Sequence, residues 1–309
     1  MPRKKAKKKL TKTEEKLISL SKLVRREDDV EVILFSFSGG RSSGMMGHLL
    51  HKHPRYKGKT IITIFANTGK EREETLEYVN ECDKRYGWNV VWVEAVITQE
   101  QGVGPKFKVV TFETATRIHQ HGPFDDLIQK MDIPNPSKKH HCTRDLKCVP
   151  MHKYMRSIGY VPKDYVSAIG IRGNEPRRLT FDVDKIYPLA DFAINELAVR
   201  QFWKRQPFDL RLDDYQGNCN LCFQKSEDKN KQHMHELIQS GNEAEIQWWI
   251  DKEESSPKEF RFTRGYRKIR DLHEEVKCGD FKPIVDRFHD VDVLAEPLAF
   301  DPTLLLILN

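Results

Sequence analysis

Residues 32–46 read VILFSFSGGRSSGMM, an apolar run that breaks abruptly into glycines and hydroxyls. The run from Val32 to Phe37 predicts a buried strand, because it is rich in β-branched and aromatic residues. Gly39 and Gly40 let the backbone turn sharply, and Gly44 to His51 predicts a helix. Such a turn aims N–H groups at one point before a helix N-terminus, which favours anions and phosphate above all.

The following elements alternate between strands and helices. TIITIFA from Thr60 predicts a second strand, and EREETLEYVNECDKRYG predicts a helix with acids in its first turn and a glycine at its end. NVVWVEA predicts a third strand, and YVSAIGI from Tyr165 predicts a fourth. The pattern predicts an α/β fold with an open, mostly parallel sheet and helices on both faces, followed after about Pro207 by a mainly helical C-terminal region.

Charge and cysteine content suggest location and partners. The net charge is +6, and residues 1–25 begin with the basic block PRKKAKKKLTK. This block predicts a disordered, solvated tail, and the alternative is an arm that binds nucleic acid phosphates. No apolar run is long enough for a bilayer and no signal peptide is recognisable, so we expect a cytoplasmic protein with no membrane contact. Six cysteines then predict thiols or metal ligands rather than disulfides.

The turn after the first strand differs from two common phosphate-binding loops. Met45 and Met46 stand where GxxxxGK[ST] needs lysine and Ser/Thr, and GxGxxG is absent. Residues 38–43, SGGRSS, instead resemble the pyrophosphate-binding SGGxDS loop of the adenine nucleotide α-hydrolase (PP-loop ATP pyrophosphatase) superfamily. Ser42 departs from that pattern, because it stands where the loop has aspartate.

Later segments resemble the phosphoadenylylsulfate (PAPS) reductase-like family within that superfamily. FANTGKE places Asn67, Thr68 and Gly69 at the end of the second strand. HHCTRDLKCVP resembles the element CCxxRKxxPL, with His141 in place of the first cysteine. IGIRGNEPRR resembles GxRxxES…R, and KIYPLADF resembles the start of YPLxxW…DVW. The order of these motifs is more specific than any one of them, and it implies a PP-loop nucleotide-binding domain over residues 26–205.

The resemblance implies a site for ATP, or for PAPS, with Mg²⁺. The candidate nucleotide-binding residues are Ser36, Ser38, Gly39, Gly40, Arg41, Ser42, Ser43, Asn67, Thr68, Gly69, Arg144, Lys147, Gly170, Arg172 and Arg178. Ser38, Ser43 and Arg172 are the candidate catalytic residues. Arginine suits such a site because it can donate two parallel hydrogen bonds to a phosphate. We expect Glu175 to pair with an arginine rather than to touch the ligand.

The cysteines suggest a metal centre. Cys219 and Cys222 form a CxxC in the glycine-containing turn GNCNLC, and Cys142 and Cys148 complete a set of four sulfurs. Four thiolates suit a [4Fe–4S] cluster or zinc. Relatives in the resembled superfamily carry iron–sulfur clusters on related cysteines, which favours the cluster. The alternatives are free thiols, a redox CxxC, and zinc with His140 or His141.

Three functions follow as hypotheses. The intact glycine pair favours an enzyme that cleaves ATP between its α and β phosphates and adenylates a second substrate, with sulfur transfer as an extension. The first alternative is a PAPS or adenylylsulfate reductase, although KCGDF around Cys278 lacks the glutamate and histidine of the family's nucleophile motif ECG(I/L)H. The second is a non-catalytic nucleotide sensor or nucleic-acid-binding protein. Residues 206–309, the mainly helical region with the CxxC, have no assigned role, and a homo-oligomer is left open.

Overall fold

The structure is a computed structural model. It describes residues 29–136, 141–180, 182–213, 215–257, 261–265, 267–285, 292–297, 299–301 and 304. The predicted basic tail, residues 1–25, and His140 lie outside the described residues.

A six-stranded sheet forms the centre of the fold. Its strands are β1 (Val32–Ser36), β2 (Thr60–Asn67), β3 (Val91–Val96), β4 (Lys106–Val110), β5 (Tyr165–Ala168) and β6 (Lys185–Ile186). They lie in the order β4-β3-β2-β1-β5-β6, and neighbouring strands are parallel except for β3 and β4. The predicted open, mostly parallel sheet is therefore confirmed. The strand order reverses between β1 and β5, and such switch points are where α/β sheets bind ligands.

Helices cover both faces of this sheet, as predicted. They are α1 (Arg41–Lys52), α2 (Glu73–Tyr86), α3 (Pro123–Met131), α4 (Val149–Ser157), α5 (Pro188–Asp191), α6 (Glu196–Lys204), α7 (Glu227–Gln239), α8 (Glu243–Glu254) and α9 (Ile269–Lys277), with a π-helical stretch at Cys142–Cys148 before α4. Alternation along β1 sends Ile33 and Phe35 into the core beneath α1, α2 and α6. Leu34 faces the opposite side, where it packs in a core with Met151 and Met155 of α4. None of the helices in the described ranges is long and apolar enough to cross a membrane.

Several elements differ from the sequence-based expectation. The region between the third and fourth predicted strands, which reads as polar and histidine-rich, contains β4 and α3. β4 was missed because it is an edge strand of sequence KFKVV, in which lysines alternate with apolar residues and Val109 stays 57% exposed. Helix α1 begins at Arg41 rather than at Gly44. Gly44 lies inside the helix. A side chain is excluded at this position, because Tyr78 and Trp203 pack so closely that a Cβ would meet the Tyr78 hydroxyl at 2.3 Å.

The C-terminal part is mainly helical, as predicted, and it contacts the sheet domain in three places. Helices α7, α8 and α9 share a hydrophobic core with α3. Residues 209–213 and 215–222, which we call the crossing segment, lie against the loops that follow β1 and β2. The buried side chain of Gln201 in α6 donates to the carbonyls of Val293 and Pro297 at 3.0 Å and accepts from Ala299 N at 2.8 Å. These bonds hold Val293, Pro297 and Ala299 on the α/β part.

Candidate functional site

A cleft of about 630 Å³ lies where β1 and β5 end. Residues 38–43, the phosphate loop, form one wall, and Gly170 and Arg172 from the turn after β5 form another. The crossing segment and α6 complete the lining with Leu210, Asn218 and Val199. The cleft therefore occupies the position at which an open α/β sheet binds its ligand.

The phosphate loop is held by hydrogen bonds among its own residues. Gly39 has φ +74°, and a Cβ there would lie 2.6 Å from Cγ2 of Thr75, so both conformation and space require glycine. Ser38 Oγ donates to Ser43 Oγ at 2.9 Å, and Ser43 Oγ donates to the Gly40 carbonyl at 2.8 Å. The two predicted catalytic hydroxyls thus shape the loop. Gly40 is the N-cap of α1, and the N–H groups of the first helical turn are suited to an anion in the cleft.

Arg172 connects the turn after β5 to this helix N-terminus. Its Nη1 donates to Ser42 Oγ at 3.1 Å, and its Nε lies 3.4 Å from Oε2 of Glu175. Glu175 also accepts from Arg178 at 2.5 Å, so its predicted pairing with arginine is confirmed. Burial would raise the pKa of Glu175, but the hydrogen bond from Arg178 and the charge of Arg172 outweigh burial and hold this pKa below its usual value. The guanidinium and the helix N-terminus together make this end of the cleft attractive to phosphate.

The side chain of Arg41 binds protein groups in the crossing segment. Its Nε donates to Oδ1 of Asp209 at 2.7 Å, and its two terminal nitrogens donate to the carbonyls of Leu212 and Leu210. The side chain is only 14% exposed. Arg41 therefore fastens the crossing segment to α1, and it also lines the cleft.

The predicted residues at the end of β2 lie behind the cleft. Asn67 is fully buried and donates to Glu94 at 2.6 Å and to the Thr116 carbonyl at 2.9 Å. The amide and the hydroxyl of Thr68 both donate to Oε2 of Glu71 at 2.7 Å. Gly69 N donates to Asn67 Oδ1, which closes the turn. These bonds give the NTG stretch a supporting role in the structure, and Ser36 likewise lies within β1 rather than along the cleft.

Lys147 lies between the cleft and a second, smaller pocket. Its Nζ donates to Oε1 of Glu71 at 3.2 Å. Burial alone would lower the pKa of Lys147, but the charge of Glu71, with contributions from Cys219 and Cys142, outweighs burial and raises it. Lys147 lines the cleft and also the second pocket, as do Cys219 and Cys222. The two spaces are therefore adjacent and share these side chains.

The second pocket, which we call the thiol pocket, has a volume of about 190 Å³. It brings together Cys142, Cys219 and Cys222 among the apolar side chains of Phe124, Leu221, Phe223, Trp249 and Phe262. Burial raises the pKa of Cys219 to about 12 and also raises that of Cys142. Within the described ranges, no three His, Cys, Asp or Glu side chains are arranged closely enough to hold a metal ion. Three of the four predicted metal ligands thus share one pocket as thiols.

The remaining predicted residues fall into two groups. Arg178 and Gly170 line the cleft, and a Cβ on Gly170 would come within 3.1 Å of Ser43 Cα, so the turn after β5 approaches the phosphate loop closely. Arg144 lies outside the cleft, where it pairs with Asp145 at 2.7 Å. Cys148 is the N-cap residue of α4. Burial raises the pKa of its thiol, although the charges of Lys185 and Lys147 act to lower it. Arg144 and Cys148 are therefore not part of the assembled site.

Two residues of the cleft were missed in the sequence. Asn218 donates from Nδ2 to the Ser38 carbonyl, and its own carbonyl accepts from Arg72 N at 2.8 Å. Lys225 Nζ donates to the carbonyl of Cys219 at 2.6 Å, and burial lowers its pKa to about 7. Both residues lie beside the CxxC in GNCNLCFQK, and this was the one sequence feature that could have drawn attention to them. Nothing in that segment indicates a contact with a loop 180 residues earlier.

Comparisons with known proteins agree with this geometry. Residues 32–180 match the family model described as the phosphoadenosine phosphosulfate reductase domain. The chain is also 32% identical over 197 residues to the uncharacterized nin region protein ORF290 of Escherichia phage lambda. That similarity covers 63% of this chain and 66% of the phage protein, slightly less than two thirds of the relative's length. No solved structure matches the chain significantly.

Proposed function

We propose that the chain, whose residues 32–180 match the family model of the phosphoadenosine phosphosulfate reductase domain, is an ATP-cleaving adenine nucleotide α-hydrolase. The family implies nucleotide binding. In the proposed reaction an oxygen of a second substrate attacks the α-phosphorus of ATP, the bond to the β-phosphate breaks, and pyrophosphate leaves. The observation that carries the proposal is the pairing of the α1 N-terminus with Arg172, because both groups favour a polyphosphate in the cleft.

The residues of the cleft suggest how the leaving group is stabilised. Negative charge grows on the departing pyrophosphate, and in the proposed complex the N–H groups of α1 and the Arg172 guanidinium stabilise that charge. We assign Arg172 the catalytic role, and Ser38 and Ser43 the role of positioning the loop that presents those N–H groups. Mg²⁺, when bound, supplies further neutralisation of phosphate charge. Glu196 and Asp213 line the cleft and offer the carboxylate oxygens that this ion prefers.

The thiol pocket supports a sulfur-related extension of this function. Cys142, Cys219 and Cys222 are the donors that would hold a [4Fe–4S] cluster or zinc, and three thiols around one pocket are of the right chemical type. The unliganded thiols are not drawn together into a metal site in the described ranges, so no step of the proposed reaction is routed through a metal. We propose these residues as the ligands, and sulfur transfer as the use of their position next to the cleft.

Metal content tests this extension directly. Protein purified without oxygen would be analysed for iron, sulfide and zinc, alongside Cys219→Ala and, as a matched control, Cys148→Ala. Iron with sulfide in the parent protein and in Cys148→Ala, but lost in Cys219→Ala, supports the cluster. Zinc with the same pattern supports the zinc alternative. The absence of bound metal in all three proteins would overturn the metal proposal and leave the adenylation proposal standing.

Nucleotide turnover tests the main proposal. ATP would be incubated with the protein and Mg²⁺, with hydroxylamine as a surrogate acceptor, and AMP derivatives and pyrophosphate would be quantified. We expect ATP binding and pyrophosphate release that fall by about tenfold or more in Arg172→Gln, since a charge-assisted phosphate contact contributes about 1.5–3 kcal/mol. Arg177→Ala removes an exposed arginine from the same turn and is the control. Failure of the parent protein to bind ATP would contradict the proposal, and binding without turnover would favour the nucleotide sensor.

A sulfonucleotide reductase is the second candidate, and the position of Cys219 and Cys222 along the cleft favours it. A reductase would release sulfite from PAPS in the presence of a dithiol reductant and would prefer PAPS to ATP. Cys278, the residue nearest to the family's nucleophile motif in sequence, is exposed at the end of α9. Sulfite release that survives Cys278→Ala but not Cys219→Ala would establish a reductase with a relocated nucleophile.

A further inference from the structure

Asn218 connects three parts of the site through its backbone and its side chain. Its Nδ2 donates to the carbonyl of Ser38, the residue that opens the phosphate loop. Its own carbonyl accepts from Arg72 N at 2.8 Å, which ties it to the turn after β2. The next residue is Cys219, which forms an isolated antiparallel bridge with Glu71 in that same turn. One asparagine thus contacts the turns that follow two neighbouring strands, immediately before the first thiol of the CxxC.

The bond to Ser38 matters because it holds the peptide unit at which the phosphate loop turns. The carbonyl of Ser38 immediately precedes Gly39, whose φ of +74° reverses the backbone. The Ser38 carbonyl, which accepts from Asn218, belongs to one of the peptide units of the loop. A phosphate bound to the N–H groups of the loop would shift these peptide units. A movement of the loop on phosphate binding would therefore move Asn218 and, with it, Cys219, the next residue in the chain.

The backbone of Cys219 is also held by contacts other than those of Asn218. Lys225 Nζ donates to its carbonyl at 2.6 Å, and Glu71, its bridge partner, is only 2% exposed. Glu71 in turn accepts from Lys147, which lines both the cleft and the thiol pocket. The segment around Cys219 is consequently a connected hydrogen-bonded unit with Asn218 at its edge facing the phosphate loop.

We propose that Asn218 is a positioning residue that couples occupation of the phosphate loop to the conformation of the Cys219 segment. This inference rests on the proposed nucleotide site and deepens it, because it assigns communication between the nucleotide and the thiol pocket to one side chain. By reciprocity, a change at the thiol pocket alters phosphate affinity by the same factor. Inorganic pyrophosphate is a suitable probe, because it fills a phosphate site without reaching the rest of the cleft.

Hydrogen–deuterium exchange measures this coupling without depending on the chemical state of the thiols. Exchange of backbone amides in residues 215–224 would be followed with and without pyrophosphate at saturating concentration. In the parent protein we expect pyrophosphate to slow exchange by about fivefold or more, which is the lower range of ordinary allosteric coupling. In Asn218→Leu, which keeps the approximate size and removes the donor to the Ser38 carbonyl without adding charge to the cleft, we expect the effect to disappear while pyrophosphate still binds.

Gln216→Ala is the matched control. Gln216 is an amide side chain of the same segment, and it bonds Asp213 and Glu236 rather than the phosphate loop. Its variant should keep the pyrophosphate effect. Equal protection in Asn218→Leu and the parent protein would overturn the coupling role of Asn218, as would unchanged exchange in the parent protein at saturation. Failure of the parent protein to bind pyrophosphate or ATP would instead contradict the proposed function, so the two failures are distinguishable.

Discussion

Ser42 accepts a hydrogen bond from the Arg172 guanidinium across 3.1 Å, although 130 residues separate the two in the chain. Ser42 occupies the second position of α1, where the resembled SGGxDS loop has aspartate. A carboxylate at this position would lie against the guanidinium and against the positive end of the helix dipole. The serine therefore adds no third carboxylate beside Arg172, which already lies near Glu175 and Glu196, and it adds no negative charge to the first turn of α1.

The substitution Ser42→Asp tests this relationship. We expect it to weaken pyrophosphate and ATP binding by about tenfold, because the new carboxylate would pair with Arg172 and repel phosphate. Ser42→Ala removes only a neutral acceptor and should change affinity by less than about threefold. Calorimetric titration of both variants provides the measurement. Equal or tighter binding by Ser42→Asp would mean that Arg172 does not contribute its charge to the anion site.

Arg41 is expected to act on stability. Arg41→Ala removes the bonds to Asp209, Leu210 and Leu212 and should lower the free energy of unfolding by about 3 kcal/mol, since a bond to a charged group contributes about 1.5–3 kcal/mol. Arg211→Ala removes a 71% exposed arginine from the same segment and should cost less than about 1 kcal/mol. Urea unfolding of both variants measures the difference. A stable Arg41→Ala protein that loses ATP affinity would identify Arg41 as a phosphate ligand.

The two glycines of the phosphate loop should respond differently to alanine. Gly39→Ala must adopt φ +74° and place its Cβ 2.6 Å from Thr75, so we expect a loss of about 2–5 kcal/mol in the free energy of unfolding. Gly40→Ala has an extended backbone with φ −102°, and its Cβ would find its nearest neighbour at 3.6 Å. Its cost should stay below about 1 kcal/mol. Similar thermal unfolding of the two variants would show that the turn adjusts freely.

His48 should make stability depend on pH. It lies in α1 among the rings of Tyr86, Trp88 and Phe202, and burial lowers its pKa from 6.5 to about 3. The folded protein keeps the ring neutral, whereas the unfolded chain binds a proton below about pH 6.5. This contribution to stability is therefore complete above pH 6.5 and declines by about 1.4 kcal/mol per pH unit as the pH falls towards 3.

Replacement of His48 by phenylalanine removes that titration. The free energy of unfolding of His48→Phe should fall less steeply between pH 6.5 and pH 4 than that of the parent protein, whatever its value at pH 7. Urea unfolding at several pH values gives the slopes. His121→Phe, at an exposed position, is the control and should keep the parental slope. Parallel slopes for the parent and His48→Phe would show that the ring accepts a proton without cost in the folded state.

The local sequence patterns predicted the buried strands of the sheet. The apolar runs at Val32, Thr60, Asn89 and Tyr165 became β1, β2, β3 and β5, because buried parallel strands are nearly continuous in apolar residues. The sequence did not predict the edge strand β4, because its lysines alternate with apolar residues and the segment therefore resembles a polar loop. The start of α1 was placed late because Gly44, a weak helix former, is required by the packing of Trp203 from a distant part of the chain.

The composition of the site was predicted less completely than the fold. Arg172 and Gly170 could be found because they follow a predicted strand and match a family motif. The partners of Arg41 could not, since Asp209 and Leu212 lie 168 and 171 residues away and no local pattern reports such a contact. Arg144 was predicted from its place near a basic position of the family element, and Cys148 from its grouping with the other cysteines. Neither residue lines the cleft or the thiol pocket.

The distance in sequence between Ser38 and Asn218 has a consequence for biosynthesis. The loop that opens at Ser38 leaves the ribosome 180 residues before the side chain that holds its carbonyl. At translation rates of about 5–20 residues per second, that interval lasts roughly 10–35 seconds. During this time the nascent loop lacks the contacts that Asn218 and the crossing segment provide. Capture of ATP by the growing chain should therefore begin only after residue 218 has emerged.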